Sequence, residues 1–474
     1  MSKGGKYSTL TKNMMLFTIS SFGSKIISFL LVPLYTSVLS TQDYGTVDLM
    51  TTTAQLLIPV LTLNIQDAVL RFALDKNNKR EDVFKVSFYI NVVGGFILAA
   101  ALLFLCGFRI IKIDSLYLVF LFVSFFFGSL NNSLQMYLKA NDKVLILTIG
   151  GIINTLIACS LNLLLLLVFK WGVNGYMVAN SVGLIIFDIY AWLAGDVNCA
   201  IRIGKRNNSL FKAMIIYSTP LIANSLAWWV NSASDRYILT GFRGTGENGI
   251  YSVSYKIPTI LSTITGIFYN AWSISAITEF DKNDNDGFIG STYSAYSMLS
   301  VLACSSIMIL NIPIARILYA KDFFQAWRCV PFLLAGTAFN GLSLFEGCIF
   351  GAVKRTGDVS KSTIFGACVN TGLNFLLIFF YGAIGAAAAT MIGYIASFGM
   401  RTYKMKDIIH MKTKWKKHYL CYALLVLQAF IGLNSNGWVI EILIFILMFL
   451  LYKEYFGLMM GKVLNKFQEK MRRH

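Results

Sequence analysis

Three basic side chains sit where a charge is hard to place: Lys25, Arg236 and Lys256. Each lies in or beside an apolar run long enough to enter hydrocarbon. An ionisable group at mid-membrane costs at least about 2.5 kcal/mol, so it usually faces protein, water or a ligand. Lys25 shares a helical face with Ser21, Ser24 and Ser28. Arg236 follows the series Asn224, Trp228, Asn231 and Asp235, and Lys256 sits in the series Ser252, Lys256, Thr259 and Thr263. Cations converging on one watery cavity attract an anionic group, and pyrophosphate suits them by charge. The amide, hydroxyl and aromatic neighbours suit sugars. Asp48, Arg71, Asn231, Asp235, Glu346 and Asn370 are further polar positions that either line such a cavity or hold a coupling ion, H+ or Na+.

Each of these has a plainer explanation. Asp67 and Arg71 stand four apart and pair at a span end. Asp235–Arg236 anchors the outer end of its helix at the interface. Lys139 snorkels to headgroups. Asp188 and Glu346 are single acids, packed in protonated form or carrying a coupling proton. Lys25 and Lys256 have the weakest structural excuse.

The elements that position these residues are apolar helices. Fourteen stretches read as spans: roughly 9–39, 43–72, 84–107, 115–138, 144–169, 173–199, 209–239, 247–278, 288–312, 324–351, 360–380, 383–400, 418–434 and 437–457. About 20 apolar residues cross a ~30 Å core, and only helices and closed barrels satisfy their backbone there. Composition agrees: of 474 residues 56% are hydrophobic and 14% charged, with a mean hydropathy of +0.63. The net charge of +18 is concentrated in alternate loops, about four to one, which is the positive-inside signature. It reports topology and anionic headgroups rather than nucleic acid. Both termini are expected in the cytoplasm, with no cleavable signal peptide.

The chain repeats itself. Asp142, Gly150 and Asn154-Thr155 recur as Asp358, Gly366 and Asn370-Thr371. Trp171-Gly172, Gly175, Ala179 and Gly183 recur as Tyr381-Gly382, Gly385, Ala389 and Gly393. Asp43-Tyr44-Gly45 is echoed by Glu247-Asn248-Gly249. The expected architecture is all-α: two parallel six-helix repeats forming two lobes around a central cavity, then two further helices. The lobes are read as 1–200 and 201–412, with the boundary in the basic segment 201–208, and the last two helices and a basic tail as 413–474. Alternating access then rocks one lobe against the other.

Enzyme chemistry has little to work with. The eight cysteines form no CxxC pair, and only three histidines occur, two of them (His410 and His418) in a basic loop near Arg401–Lys417. No GxSxG, Walker or HExxH pattern is present. No cofactor and no metal are expected, and uphill transport needs an ion gradient or a partner. A polymerase or ligase would carry a large outer loop, whereas no outer loop here much exceeds about a dozen residues by this reading.

Several motifs carry a resemblance. They are Asn13–Leu39 (NMMLFTISSFGSKIISFLLVPLYTSVL), STQDYGTVDL after it, and Asp67-Ala-Val-Leu-Arg71-Phe72. In the second half they are Ser234-Asp235-Arg236-Tyr237-Ile238-Leu239, Glu247-Asn248-Gly249-Ile250-Tyr251-Ser252 and Tyr255-Lys256. The chain resembles Wzx-type polysaccharide repeat-unit flippases of the multidrug/oligosaccharidyl-lipid/polysaccharide exporter superfamily. The resemblance implies movement of an undecaprenyl-pyrophosphate-linked oligosaccharide between leaflets of the bacterial cytoplasmic membrane, supplying a polysaccharide polymerase. It implies cavity cations, carried onto Lys25, Arg236 and Lys256, while Arg71 matches the Arg-Phe pattern. Two relatives stay open: a lipid II flippase, whose first helix usually carries several arginines where this one has only Lys25, and a cation-coupled multidrug exporter, usually of twelve helices.

Overall fold

The computed structural model describes residues 23, 25–75, 77–108, 113–197 and 207–471, with side chains to residue 457 except that of Asn231. Every regular element among them is helical. The chain divides into two compact units, Met1–Ser234 and Asp235–His474. The segment read as the lobe boundary lies largely outside the described residues, at 201–206.

The first unit contains α1 (Val32–Val38), α2 (Thr41–Leu61), α3 (Ile65–Ala73), α4 (Arg80–Gly107), α5 (Ser115–Ala140), α6 (Val144–Leu163) and α7 (Gly172–Ala194); α8 (Asn208–Arg243) runs on into the second unit. Ser40 caps α2: its Oγ accepts from the Asp43 amide at 3.1 Å and donates to the Asp43 carboxylate at 2.6 Å. α2 and α3 form one bent span, with an angle of 58° between them. The bend is made by Leu63 and Asn64, with φ of 54° and 51°. This left-handed region is unfavourable for L-residues, least so for Asn. Asn64 is held there by its side chain, which donates to Asp67 Oδ2 at 2.6 Å and accepts from Gln66 at 2.9 Å and Ser225 at 3.3 Å. Asp67 is thereby engaged, and no ion pair joins it to Arg71 among the described residues, contrary to the i,i+4 expectation. α5 is the hub of the unit, packing on α2, α3, α4 and α7.

The second unit contains α9 (Thr245–Ser254), α10 (Pro258–Thr278), α11 (Phe288–Ile309), α12 (Asn311–Leu318), a 3-10 turn at Lys321–Arg328, α13 (Val330–Ala352), α14 (Thr356–Met405), α15 (Trp415–Ile431) and α16 (Trp438–Met471). α13 is its core, packing on α10, α11, α14 and α15. Lipid is as apolar as leucine, so close packing and polar contacts must hold such helices together. α14 is two helices joined at Gly382, whose φ of 56° and ψ of −132° suit glycine alone. Both ends at the break are capped. Arg243 donates to the Phe379 and Phe380 carbonyls at 2.7 and 3.3 Å, and Glu247 Oε2 accepts from the Ala383 amide at 2.9 Å. A cation on the carbonyl end and an anion on the amide end match the helix dipoles.

Nine helices among the described residues are long and apolar enough to cross a membrane, or ten if the bent α2–α3 pair is one span. The protein is therefore a multi-pass membrane protein. α14 is counted once although it bends at Gly382, and α15 has only 17 residues.

Candidate functional site

The second unit gathers most of the polar residues singled out from sequence. On α8, Asp235 is buried and Arg236 is half-buried. α9 turns Tyr251 toward Asp235, and its phenol donates to the carboxylate. The same phenol lies 2.8 Å from the Tyr255 hydroxyl and 3.2 Å from Thr390 Oγ1. Asn370 donates to Thr390 at 3.2 Å, and Asn374 donates to Asn370 at 2.7 Å. One chain of hydrogen bonds thus crosses from α8 through α9 to both halves of α14. It ends on Asn374 Oδ1, a buried oxygen with no hydrogen-bond partner.

Arg236 sits with its guanidinium carbon 5.5 Å from the centre of the Tyr255 ring, a cation–π geometry. Lys256 follows directly. It lies in the short non-helical link Tyr255–Ile257 that separates α9 from α10, half-buried, and it forms no ion pair among the described residues. Pro258 opens α10 and has no N–H to donate to the carbonyl four residues back, so the helical hydrogen bonding lapses there although Ile257 keeps helical φ and ψ of −69° and −49°. Arg236 and the Asp235 network therefore meet beside the helix junction whose link contains Lys256. Such a junction can neutralise an anion on one side and take up a small cation or proton on the other.

The remaining sequence candidates scatter. Lys25 is exposed, in the first unit. Asp48 is half-buried on α2, and Arg71 is exposed on α3. The Asn231 side chain lies outside the described residues. Glu346 is buried in a different cluster: its Oε1 accepts from Thr402 at 2.7 Å and its Oε2 has no partner. Arg401, read from sequence as the start of a basic loop, is instead 5% exposed within α14. It donates to the Ser343 carbonyl at 2.6 Å, Thr363 at 2.7 Å and Ser362 at 2.8 Å. His418, also read as a loop residue, is buried in α15 among the hydroxyls of Thr413, Ser294, Ser297 and Tyr452. Sequence reasoning missed Tyr251 and Thr390. The i,i+4 pair Tyr251 and Tyr255 was the available signal.

In the first unit Asp188 is buried on α7, accepting from Asn131 at 2.8 Å, while Gln135 donates to Asn131 at 2.6 Å. Asn131 and Gln135, four apart on α5, thus form a hydrogen-bonded ladder with Asp188.

Comparison with known proteins places this architecture. The chain is 21% identical over 266 residues to a protein named "Probable low-salt glycan biosynthesis flippase Agl15" of Haloferax volcanii, a match spanning 53% of this chain and 56% of that one. The chain thus matches little more than half the length of that curated relative. Its fold is that of the lipid II flippase MurJ in an inward closed conformation, with a TM-score of 0.69 at 16% identity over 95% of this chain and all of the other. An inward-facing multidrug resistance MATE family transporter of the MOP superfamily superposes with a TM-score of 0.64 at 13% identity, over 81% of this chain and 95% of that one. Residues 10–274 match the family model described as polysaccharide biosynthesis protein. With more than half of its length inside that model, the chain belongs to the polysaccharide biosynthesis protein family.

Proposed function

We propose that the protein is a flippase, not an enzyme, that moves an undecaprenyl-pyrophosphate-linked oligosaccharide repeat unit from the inner to the outer leaflet of the bacterial cytoplasmic membrane. It works by alternating access, both termini are cytoplasmic, and the product feeds a polysaccharide polymerase building O-antigen, capsule or another surface glycan. The observation that carries the reading is the α9–α10 junction, where Arg236 lies over the Tyr255 ring beside the Asp235 network and Lys256 is the next residue of the link. Lys256 forms no ion pair among the described residues, and a cation inside an apolar helical protein favours an anion such as a lipid pyrophosphate. Lys25 adds a third cation from the first unit. The Asp235–Tyr251–Thr390–Asn370 chain takes the coupling ion, H+ or Na+, and releases it as the cycle proceeds. Asp48, Arg71, Asn231 and Glu346 have supporting polar roles in this scheme.

The test is deletion of the gene followed by location of the lipid-linked oligosaccharide. It accumulates on the cytoplasmic face, and wild type restores export. Lys256→Ala and Arg236→Ala each lower the export rate at least about tenfold, equivalent to about 1.4 kcal/mol, with normal amounts of folded protein in the membrane. Asp235→Asn abolishes the dependence of transport on an imposed ion gradient. Full surface glycan in all three variants sinks the proposal.

A further inference from the structure

The first unit holds an open-sided cavity of about 370 Å3 between α2, α5 and α7. Its volume lies in the range of ordinary ligand pockets, about 300–1,000 Å3. Its lining carries many hydrogen-bonding side chains and no charge. Gln55, Ser124, Asn132 and Ser181 face it, and none has a hydrogen bond to the described protein. Polar groups left this way on membrane helices cost free energy unless water or a ligand satisfies them.

The cavity is built rather than incidental. Ser124, Gly128 and Asn131 fall on one face of α5 at helical spacing. Gly128 leaves space: a Cβ there meets only Ile58 Cδ1, at 3.4 Å. Asn131 is fixed in orientation from behind, by its hydrogen bonds to Asp188 and Gln135. Tyr176 adds an aromatic surface, braced edge-on by Tyr35 at a ring separation of 4.8 Å. Neutral amides and hydroxyls beside an aromatic ring favour a ligand that is polar, uncharged and rich in both donors and acceptors. An ion of either sign finds no opposite charge in the lining.

We propose that this cavity of the first unit is a subsite for one uncharged sugar of the transported glycan. The inference rests on the reading of the chain as a carrier of lipid-linked glycan. Asn132, Ser124, Gln55 and Ser181 supply the hydrogen bonds to the sugar hydroxyls, and Asp188 is a positioning residue that acts through Asn131.

Purified full-length protein in nanodiscs is titrated with bare undecaprenyl pyrophosphate and with the same lipid carrying a single glucose, galactose or N-acetylglucosamine. Wild type binds at least one glycosylated probe about tenfold more tightly than the bare lipid. Gly128→Leu, which fills the cavity, and Asn132→Leu each remove that preference and leave the affinity for bare lipid unchanged. If Gly128→Leu does not fold, Ser124→Ala with Asn132→Ala carries the same test. A preference kept in the variants, or absent from wild type while the bare lipid still binds, overturns the subsite and leaves the flippase reading standing. Failure of wild type to bind any of the lipids overturns the flippase reading itself.

Discussion

Gly172 and Gly382 occupy matching places in the two sequence repeats, and both have left-handed backbones, with φ of 55° and 56°. Their surroundings differ. A Cβ on Gly172 meets nothing within 4 Å, whereas on Gly382 it lies 2.9 Å from Glu247 Oε2. The same holds for the paired asparagines. A Cβ added to Gly183 would lie 2.6 Å from Asn154 Oδ1, and one added to Gly393 would lie 2.7 Å from Asn370 Cβ, so each asparagine occupies the space a side chain would need. Yet Asn370 belongs to the chain leading to Asp235, while Asn154 makes no hydrogen bond among the described residues. The glycine–asparagine contacts are the shared packing device, since close helix approach is what stabilises a bundle in lipid. Among the described residues, the Arg243–Glu247 clamp and the Asp235 chain occur in the second copy, while the first carries a different ladder, Gln135–Asn131–Asp188.

The largest expected effect breaks this comparison at the glycines. Gly382→Ala forces a residue with a Cβ into a glycine-only conformation against a carboxylate and lowers stability by about 3 kcal/mol, while Gly172→Ala costs about 1 kcal/mol. Thermal unfolding in detergent reads both, and equal losses would show that Glu247 adds nothing. Next come the asparagines. Asn370→Leu leaves Thr390 and Asn374 short of partners and costs about 1–2 kcal/mol. Asn154→Leu stays within about 0.5 kcal/mol. A larger loss at Asn154 would reveal bonding in the first unit that the comparison denies.

The smallest effect concerns two connecting loops. Asp75 accepts from the Asn77 amide at 3.0 Å, and Asp281 accepts from the Asn283 and Asn285 amides at 3.1 and 2.7 Å. The amides of Asn285 and Asn283 hold the Asp281 carboxyl below its usual range. A depressed carboxyl pKa stabilises the folded state above the unfolded value, near 3.9, and that contribution fades as pH falls through the folded value. Asp281→Asn therefore lowers the melting temperature slightly at pH 7, and the gap from wild type closes below about pH 4. A gap that widens on acidification would reverse the sign of this argument.

Apolar runs made the helices legible in sequence, and the glycine motifs pointed to the repeat, because both signals are local. The break at Gly382 falls between the stretches read as 360–380 and 383–400. The sequence reading of fourteen spans and the nine or ten that qualify among the described residues differ where helices are short or bent, as at α15 and α14. The site was half legible. Asp235, Arg236, Lys256 and Asn370 stood out as polar residues in apolar runs. Their connection did not, because Tyr251 and Thr390 are ordinary residue types brought in from other helices. Arg401 and His418 were misplaced for the same reason: most of their partners are hydroxyls and a carbonyl far away in sequence, so a run of basic residues looked like a solvated loop. The Asp67–Arg71 pair failed because Asn64 adopts a conformation that no periodicity argument anticipates.

That elbow between α2 and α3 has a mechanical corollary. Bends in spanning helices commonly come from proline or glycine, and Pro59 stands in the last turn of α2. Beyond it the elbow is held by one carboxamide gripping three neighbours, one of them Ser225 on α8. The stiffness of the joint is therefore adjustable by exchanging a single side chain.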